Sequence, residues 1–413
     1  AQGAPGIDGM TIDTVAAQVE AMLSEIQGQL LAGTYRPSPV KVVLIDKPDG
    51  RKRTLGIPTV IDRWVAQAIV QVLSPRLDPI FSDSSFGFRP KRNAQQAIDQ
   101  AKRWVKTGRV YTVDLDLEQF FDRVNQDKLM ALLAKRISDK PLLRLIRRFL
   151  NAGVMQEGIV QQKEQGTAQG SPLSPLLSNV MLHELDLELE RRGHSFCRYA
   201  DDCRIFVWSQ QAANRVLKSL THWIEKRLKL PVNRQKSAAD RVNKRPFLGV
   251  AIQLDGEVAV AKPSVRRFQD KVRRITKRNR GVSLAQVITE LNRLLRGWYH
   301  YFKCSSYQSL FKRLDAWIRR RLRCFRLKQR KRKYAISRWL RAQGIDQPTS
   351  WTLARSDKGW WRKALNPVAH RAMPKAWFER QGLFSLHEAF VLYQSETAVC
   401  DNACTGGVRG SVL

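Results

Sequence analysis

Apolar and polar positions along this chain change period several times, and each change marks a different kind of element. From Val110 to Leu117, β-branched, aromatic and aliphatic residues alternate with others as in a strand, which puts Asp114 and Asp116 on one face. The short runs Phe196-Cys197-Arg198 and Cys203-Arg204-Ile205-Phe206-Val207 flank Tyr199-Ala200-Asp201-Asp202, predicting strand, tight turn and strand with two carboxylates at the hairpin tip. Lys41 to Arg53 reads as another hairpin, turning at Pro48-Asp49-Gly50. A last β-like stretch, Val258-Ala259-Val260-Ala261, ends the strand-rich part. Three helices are then predicted, over 264–280, 283–302 and 307–333. The second carries Leu284, Val287, Ile288, Leu291, Leu294, Leu295 and Trp298 in one stripe, and the third carries Phe311, Leu314, Ile318 and Leu322. Such stripes bury one another in a small bundle, so the chain reads as α+β with an antiparallel sheet first and helices after.

Charge sharpens that division. Lys and Arg number 72 against 37 Asp and Glu, a net charge of +35. Between Lys262 and Arg380 there are 33 basic and 6 acidic residues, so this segment holds +27 of the +35 in under a third of the chain. Twelve basic residues between Lys312 and Lys333 face only Asp315, and they repel unless phosphates neutralise them, which predicts a polyanion partner. No run of about 18 apolar residues occurs, so no membrane span is expected. Six scattered cysteines suit a reducing cytoplasm, and Cys400 and Cys404 form one pair without the second that a zinc site needs.

The acidic hairpin tip is the clearest chemical signal. Adjacent carboxylates at a turn repel each other, and a purely structural role explains them poorly. Hard divalent cations such as Mg²⁺ take oxygen ligands, and a two-metal site stabilises both the attacking and the leaving oxygen of a phosphoryl transfer. Asp114, Asp116 and Asp122 are each candidates for a third carboxylate, and spacing does not choose among them. Gly166-Thr167-Ala168-Gln169-Gly170-Ser171-Pro172 is a small-residue loop running into a helix, where the backbone can approach a nucleotide closely and Gln169 offers donors and acceptors. Lys41 and Lys47, six apart, fall on one side of a regular strand, where two cations can hold a triphosphate or simply guard a sheet edge. Ser85-Phe86-Gly87-Phe88-Arg89-Pro90 interleaves rings with a guanidinium group, a composition suited to single-stranded nucleic acid.

Taken in order, these segments resemble the bacterial group II intron-encoded reverse transcriptases and maturases, from Gly6-Ile7-Asp8-Gly9 to about residue 390. The resemblance implies a right-hand polymerase. Fingers and palm would occupy residues 1–261, a helical thumb or maturase domain 262–334, and a small DNA-binding domain and tail 335–413. Asp116-Leu117-Glu118-Gln119-Phe120-Phe121-Asp122 matches the first palm motif, so Asp116, the Leu117 carbonyl, Asp201 and Asp202 are implied as ligands of two Mg²⁺ ions. Phe121 matches the gate that rejects the 2′-hydroxyl. Lys41, Lys47, Gln169, Gly170, Tyr199 and Ala200 would meet dNTP or template-primer, and Leu248-Gly249 matches the primer-holding turn. Lys236 is a further basic residue beside these motifs, suited to assisting pyrophosphate departure or to plain solvent exposure. Leu291 to Phe302 resembles the maturase thumb, with Arg296, Arg319, Arg320 and Arg323 as RNA contacts. Trp339, Trp351, Trp360, Trp361 and Trp377 would form either the core or the surface of the DNA-binding domain.

The implied function is RNA-directed DNA synthesis, combined with binding of the intron RNA to promote splicing and with retrohoming. The partners would be intron RNA, an RNA template, a DNA target or primer and dNTPs, in a bacterial cytoplasm and at the nucleoid when DNA-bound. The alternative is a domesticated relative acting in DNA repair or defence without splicing. The nuclease domain of some relatives is expected to be missing, and residues preceding Ala1 are expected in the full protein.

Overall fold

The computed structural model describes residues 3–46, 50, 52–156, 159–161, 166 and 170–405, with the backbone alone at 53, 156, 159–161 and 397–405. Lys47, Gln169 and the side chains of Cys400 and Cys404 therefore lie outside the described residues. The chain divides into two compact units, one of residues 1–247 with 254–256, the other of 248–253 with 257–413.

The first unit begins with helices α1 (Ile12–Ala17) and α2 (Val19–Leu31). Strands β1 (Val40–Asp46) and β2 (Lys52–Ile57) form the predicted basic hairpin, pairing from Lys41 with Ile57 to Asp46 with Lys52. Helices α3 (Val60–Leu77) and α4 (Ala94–Lys106) follow, then β3 (Tyr111–Leu115), α5 (Phe120–Arg123), α6 (Gln126–Ala134) and α7 (Lys140–Asn151). Strands β4 (Val154–Gln156) and β5 (Ile159–Gln161) join the first hairpin in a sheet of order β2-β1-β4-β5, in which β1 and β4 run parallel. After α8 (Ser174–Arg191) come β6 (Ser195–Tyr199), β7 (Asp202–Val207), α9 (Gln210–Trp223) and β8 (Ala238–Arg241). These complete a wholly antiparallel sheet of order β6-β7-β3-β8.

Alternation positions this second sheet. On β3, Val113 and Leu115 are buried against helices, while Asp114 points from the opposite face. Helix α8 is buried almost all round, which explains why its sequence lacks a polar stripe, and Leu176, Met181, Leu185 and Leu189 lie in the same core as β3 and β7. Each such fully buried side chain contributes about 1.5–3 kcal/mol, so the sheet face that carries the carboxylates stands on a rigid support.

The second unit starts with the hairpin β9 (Val250–Ile252) and β10 (Val258–Val260). The predicted bundle follows as α10 (Lys262–Ile275), α11 (Leu284–Phe302) and α12 (Gln308–Gln329). Helix α10 stops short of Arg280 because Arg280 leaves the helical path, donates to the Ile275 carbonyl and pairs with Glu290 at 2.8 Å. Of the α11 stripe, Leu284, Val287, Ile288, Leu291 and Leu295 are buried and Leu294 and Trp298 half-buried against the same core, where Trp298 stacks on Phe268 at 4.3 Å between centroids. Helices α13 (Lys333–Ala342), α14 (Gln347–Arg355), α15 (Trp360–Lys363), α16 (Pro367–Ala372), α17 (Lys375–Arg380) and α18 (Leu386–Thr405) pack on the same core. Trp339 and Trp377 are core residues, whereas Trp361 is 37% exposed.

Candidate active site

The loop after β3 and the β6–β7 turn both border one cleft of about 710 Å³. Asp116, Leu117, Phe121 and Asp201 line it, as do Lys52, Thr54 and Lys236. Asp116 is held by its main chain: its N–H donates to Ser237 Oγ at 3.0 Å, and its carbonyl accepts from the Asn233 N–H at 2.8 Å. Leu117 bridges to Val232, and the Glu118 N–H donates to the Pro231 carbonyl at 2.9 Å. The run Leu230 to Ser237 thus clamps the segment that presents Asp116. Gln119 is in the left-handed region, φ 47°, and turns the chain into α5, so that Phe121 faces the cleft with its ring edge-on to Phe120.

The Asp116 carboxylate is incompletely satisfied. Its Oδ2 is buried with no hydrogen-bond partner among the described residues, and its nearest cation is Lys236 Nζ at 3.4 Å. That ammonium offsets the cost of burying the charged oxygen without forming a well-aligned hydrogen bond to it. Asp201 is exposed at the tip of the predicted two-residue turn, since Tyr199 pairs with Asp202 across it. Asp202 is turned differently. Its Oδ1 accepts from Arg204 Nε at 3.2 Å, and Arg204 Nη1 pairs with Asp114 at 2.8 Å. Burial pushes the Asp202 carboxyl up to about 6 against the pull of Arg204, and burial likewise raises Asp114. Among the described residues, no three His, Cys, Asp or Glu side chains stand together as a ready-made ion site. Asp116 and Asp201 nevertheless share one cleft, and their carboxylate oxygens are a donor set suited to a hard divalent cation.

The structure also separates Asp114 from Asp116, which spacing did not. Asp114 is occupied by Arg204 and by Arg245 at 3.7 Å, while Asp122, in the first turn of α5, borders the same cleft as Asp116. Arg204 had no predicted role; its only signal is a charge inside the apolar run after the acidic turn.

Several expectations need correction. Lys41 is exposed and sits opposite Ile57, on the pleat face away from Thr54 and Lys52, so the described hairpin cation bordering the cleft is Lys52. The glycines of the 166–170 loop are required by the protein's own backbone. A Cβ at Gly170 would stand 2.1 Å from the Gly56 carbonyl oxygen, and one at Gly166 would stand 2.7 Å from that of Asp122. The Ser85 to Pro90 run is mostly internal. Phe86 is buried, Arg89 donates to Asp78, Ser82 and Ser85 oxygens, and only Phe88 of its rings is exposed. Ser85 bridges to Arg198 beside β6, and Gly87 packs against Ala200, so this run buttresses the acidic turn.

In the second unit, Leu248 and Gly249 both have positive φ (49° and 81°), and the Leu248 carbonyl accepts from the Tyr301 hydroxyl at 2.9 Å. Arg296 is exposed and Arg319 half-exposed. Arg320 lies over Trp361 at 3.7 Å. Arg323 is buried and donates to the Met373 carbonyl at 3.0 and 2.8 Å, which commits its guanidinium to the fold and withdraws it from RNA. Asp315, the sole acid in the basic run, caps the start of α18 through the Leu386 and His387 N–H groups.

Comparison with known proteins identifies the family. Residues 45–252 match the family model described as reverse transcriptase (RNA-dependent DNA polymerase), and residues 265–344 match the group II intron maturase-specific domain. The chain belongs to the reverse transcriptase family, and its maturase-specific domain makes it one of the group II intron type. It is 31% identical to protein YkfC of Escherichia coli over 58% of this chain and 73% of that protein. It is 34% identical to the group II intron-encoded protein LtrA of Lactococcus lactis over 53% of this chain and 36% of that protein, so it spans about a third of LtrA. Telomerase from Candida albicans with a telomeric RNA fragment superposes with a TM-score of 0.45 at 13% identity, covering 78% of this chain and 65% of that one. Reverse transcriptases as a family use divalent metal ions.

Proposed function

We propose that this chain extends a DNA primer on an RNA template, with Asp116, Asp201 and Asp202 as the carboxylates that hold two Mg²⁺ ions. The observation that carries this reading is that Asp116 and Asp201 border one cleft, with Asp116 Oδ2 buried beside the Lys236 ammonium at 3.4 Å. When bound, the ions supply Lewis-acid stabilisation of the attacking and leaving oxygens. The remaining work falls to the chain's own groups. Phe121 stands beside the sugar and excludes a 2′-hydroxyl. Lys52 and Lys236 border the cleft as cations for the triphosphate. Lys236 Nζ, 3.4 Å from Asp116 Oδ2, would serve phosphate oxygens beside that carboxylate. Asp202 would hold a cation with the oxygen that Arg204 does not occupy or in place of Arg204, which is also paired with Asp114 at 2.8 Å.

The second unit would bind structured RNA, including that of a group II intron, through cations such as the exposed Arg296 and the half-exposed Arg319, and would thereby promote splicing by the RNA itself and support retrohoming. This role does not require the carboxylates. Asp201→Ala is therefore expected to abolish primer extension while leaving RNA affinity and RNA-catalysed splicing intact. Retained DNA synthesis would refute the assignment of Asp201, and lost splicing would refute the separation of the two roles.

A further inference from the structure

The acidic turn is built on a backbone conformation that its own residues disfavour. Ala200 sits in the left-handed region, φ 57°, where an alanine Cβ crowds the following carbonyl. A two-residue turn with such a residue persists only if its surroundings hold it. What touches it is a buried polar network. Arg198 Nη1 donates to the Ala200 carbonyl at 2.9 Å and to Asn179 Oδ1 at 3.0 Å. Its Nε and Nη2 reach both oxygens of Asp186 on α8 at 2.7 and 2.6 Å. Arg198 and Asp186 are wholly buried, 0% exposed. Asn179 Nδ2 in turn donates to the Gly87 carbonyl at 2.9 Å, and the Arg198 main chain is bonded on both sides, to the Ser84 carbonyl and the Phe86 N–H.

A buried ion pair is a poor device for stability alone, since well-packed apolar residues of similar volume commonly do as well or better. An apolar pair, however, has no donor to offer a strained carbonyl. We propose that Arg198 is a positioning residue of the polymerase site, acting through the Ala200 carbonyl to hold the turn that presents Asp201 and Asp202. Asp186 fixes the orientation of the planar guanidinium, and Asn179 ties it to the Gly87 loop. This inference rests on the reading of Asp201 and Asp202 as metal ligands.

The test uses the full chain without nucleic acid and follows Mn²⁺ binding by electron paramagnetic resonance, with thermal unfolding as a control. Arg198→Met combined with Asp186→Leu removes the ion pair without stranding either charge. The double variant is expected to fold and to bind Mn²⁺ roughly tenfold more weakly, the loss expected for one hydrogen bond to a charged donor. Adding Ala200→Gly should restore most of that loss, because glycine adopts positive φ without steric penalty. Wild-type Mn²⁺ affinity in the folded double variant, or no recovery on adding Ala200→Gly, would overturn the proposal. Arg198→Lys, which keeps a cation beside Asp186 but lacks the second arm of the fork, should show the same weakening and the same recovery. It serves as the test if the double variant does not fold. Asp201→Ala in the same titration separates the two claims: undiminished Mn²⁺ binding there would remove the carboxylate reading, whatever Arg198 does.

Discussion

Gly87 offers a steric wedge beneath the acidic turn. A Cβ added there would stand 2.2 Å from the Ala200 nitrogen, 2.8 Å from the Tyr199 carbonyl carbon and 3.0 Å from the Ala200 Cα. Ordinary contact needs about 3.5 Å, so Gly87→Ala requires a separation of roughly 1 Å between two backbones. Neither side gives easily. The Gly87 carbonyl is held by Asn179, the neighbouring Phe86 N–H by the Arg198 carbonyl, and the turn carbonyl by the Arg198 guanidinium. If the strain is taken up by the turn, Asp201 moves by about 1 Å, a displacement that typically lowers rate about 10²-fold. Overpacking of this kind also lowers stability by about 1–3 kcal/mol. Single-turnover primer extension on an RNA template, together with thermal unfolding, measures both. Gly28→Ala on exposed α2, where an added Cβ meets nothing within 4 Å, is the control and should gain up to about 1 kcal/mol of stability with unchanged kcat. A folded Gly87→Ala protein with wild-type kcat would refute the claim that the 84–88 loop sets the position of the turn.

Further predictions follow from other parts of the molecule. Phe121→Ala should let ribonucleotides be incorporated, and unchanged discrimination between dNTPs and rNTPs would remove Phe121 from the gate. Burial raises the Asp202 carboxyl from 3.8 to about 6, so it takes up a proton as pH falls through about 6, and that proton competes with a cation. Primer extension should therefore fall below about pH 6, with the limb moving to lower pH as Mg²⁺ is raised; a limb indifferent to Mg²⁺ would count against Asp202 as a ligand. The sign for folding is the reverse, because a raised carboxyl favours the metal-free fold below its unfolded value and loses that contribution as pH rises through about 6. RNA binding by the basic second unit should weaken about 10³-fold or more between roughly 50 and 200 mM salt. Arg296→Ala should flatten that dependence, whereas Arg323→Ala should lower the melting temperature instead, since Arg323 is bonded to Met373 in the core.

The elements that position the site were legible wherever one face of a strand or helix is buried and the other is not. That condition holds at β3, at the β6–β7 hairpin and along α11, so period placed Asp201 on a turn, but it ran the strand through Asp116 to Leu117, whereas β3 ends at Leu115 and Asp116 stands beyond it. It fails where a charged residue lies inside the core. Arg198 and Arg204 interrupt apolar runs on adjacent strands, and a sequence offers no means of pairing Arg198 with Asp186 on α8 or Arg204 with Asp114 on β3. The same blindness explains Arg89 and Arg323. Each sits among aromatic and basic neighbours that suggest nucleic acid, yet each spends its guanidinium on carbonyl oxygens of its own fold. Lys41 was misjudged because the face of a hairpin that meets the cleft depends on register, which places Lys52 and Thr54 there.

A division of labour within the motifs follows. Asp116, Asp201 and Phe121 project side chains into the cleft, and their substitution should alter chemistry or sugar choice directly. Gly87, Gly166 and Gly170 matter because nothing projects from them: at each, an added Cβ would stand within 2.7 Å of another segment's backbone. Arg198 belongs with the glycines, since it is wholly buried and reaches the cleft only through the Ala200 carbonyl. Loss of activity on mutating residues of this second kind is thus evidence about the geometry of the turn and says nothing of a catalytic group. The distinction is measurable, because a geometric defect should be recoverable at a second position, as Ala200→Gly is expected to do for Arg198, whereas removal of the Asp201 carboxylate leaves nothing for a neighbouring substitution to restore.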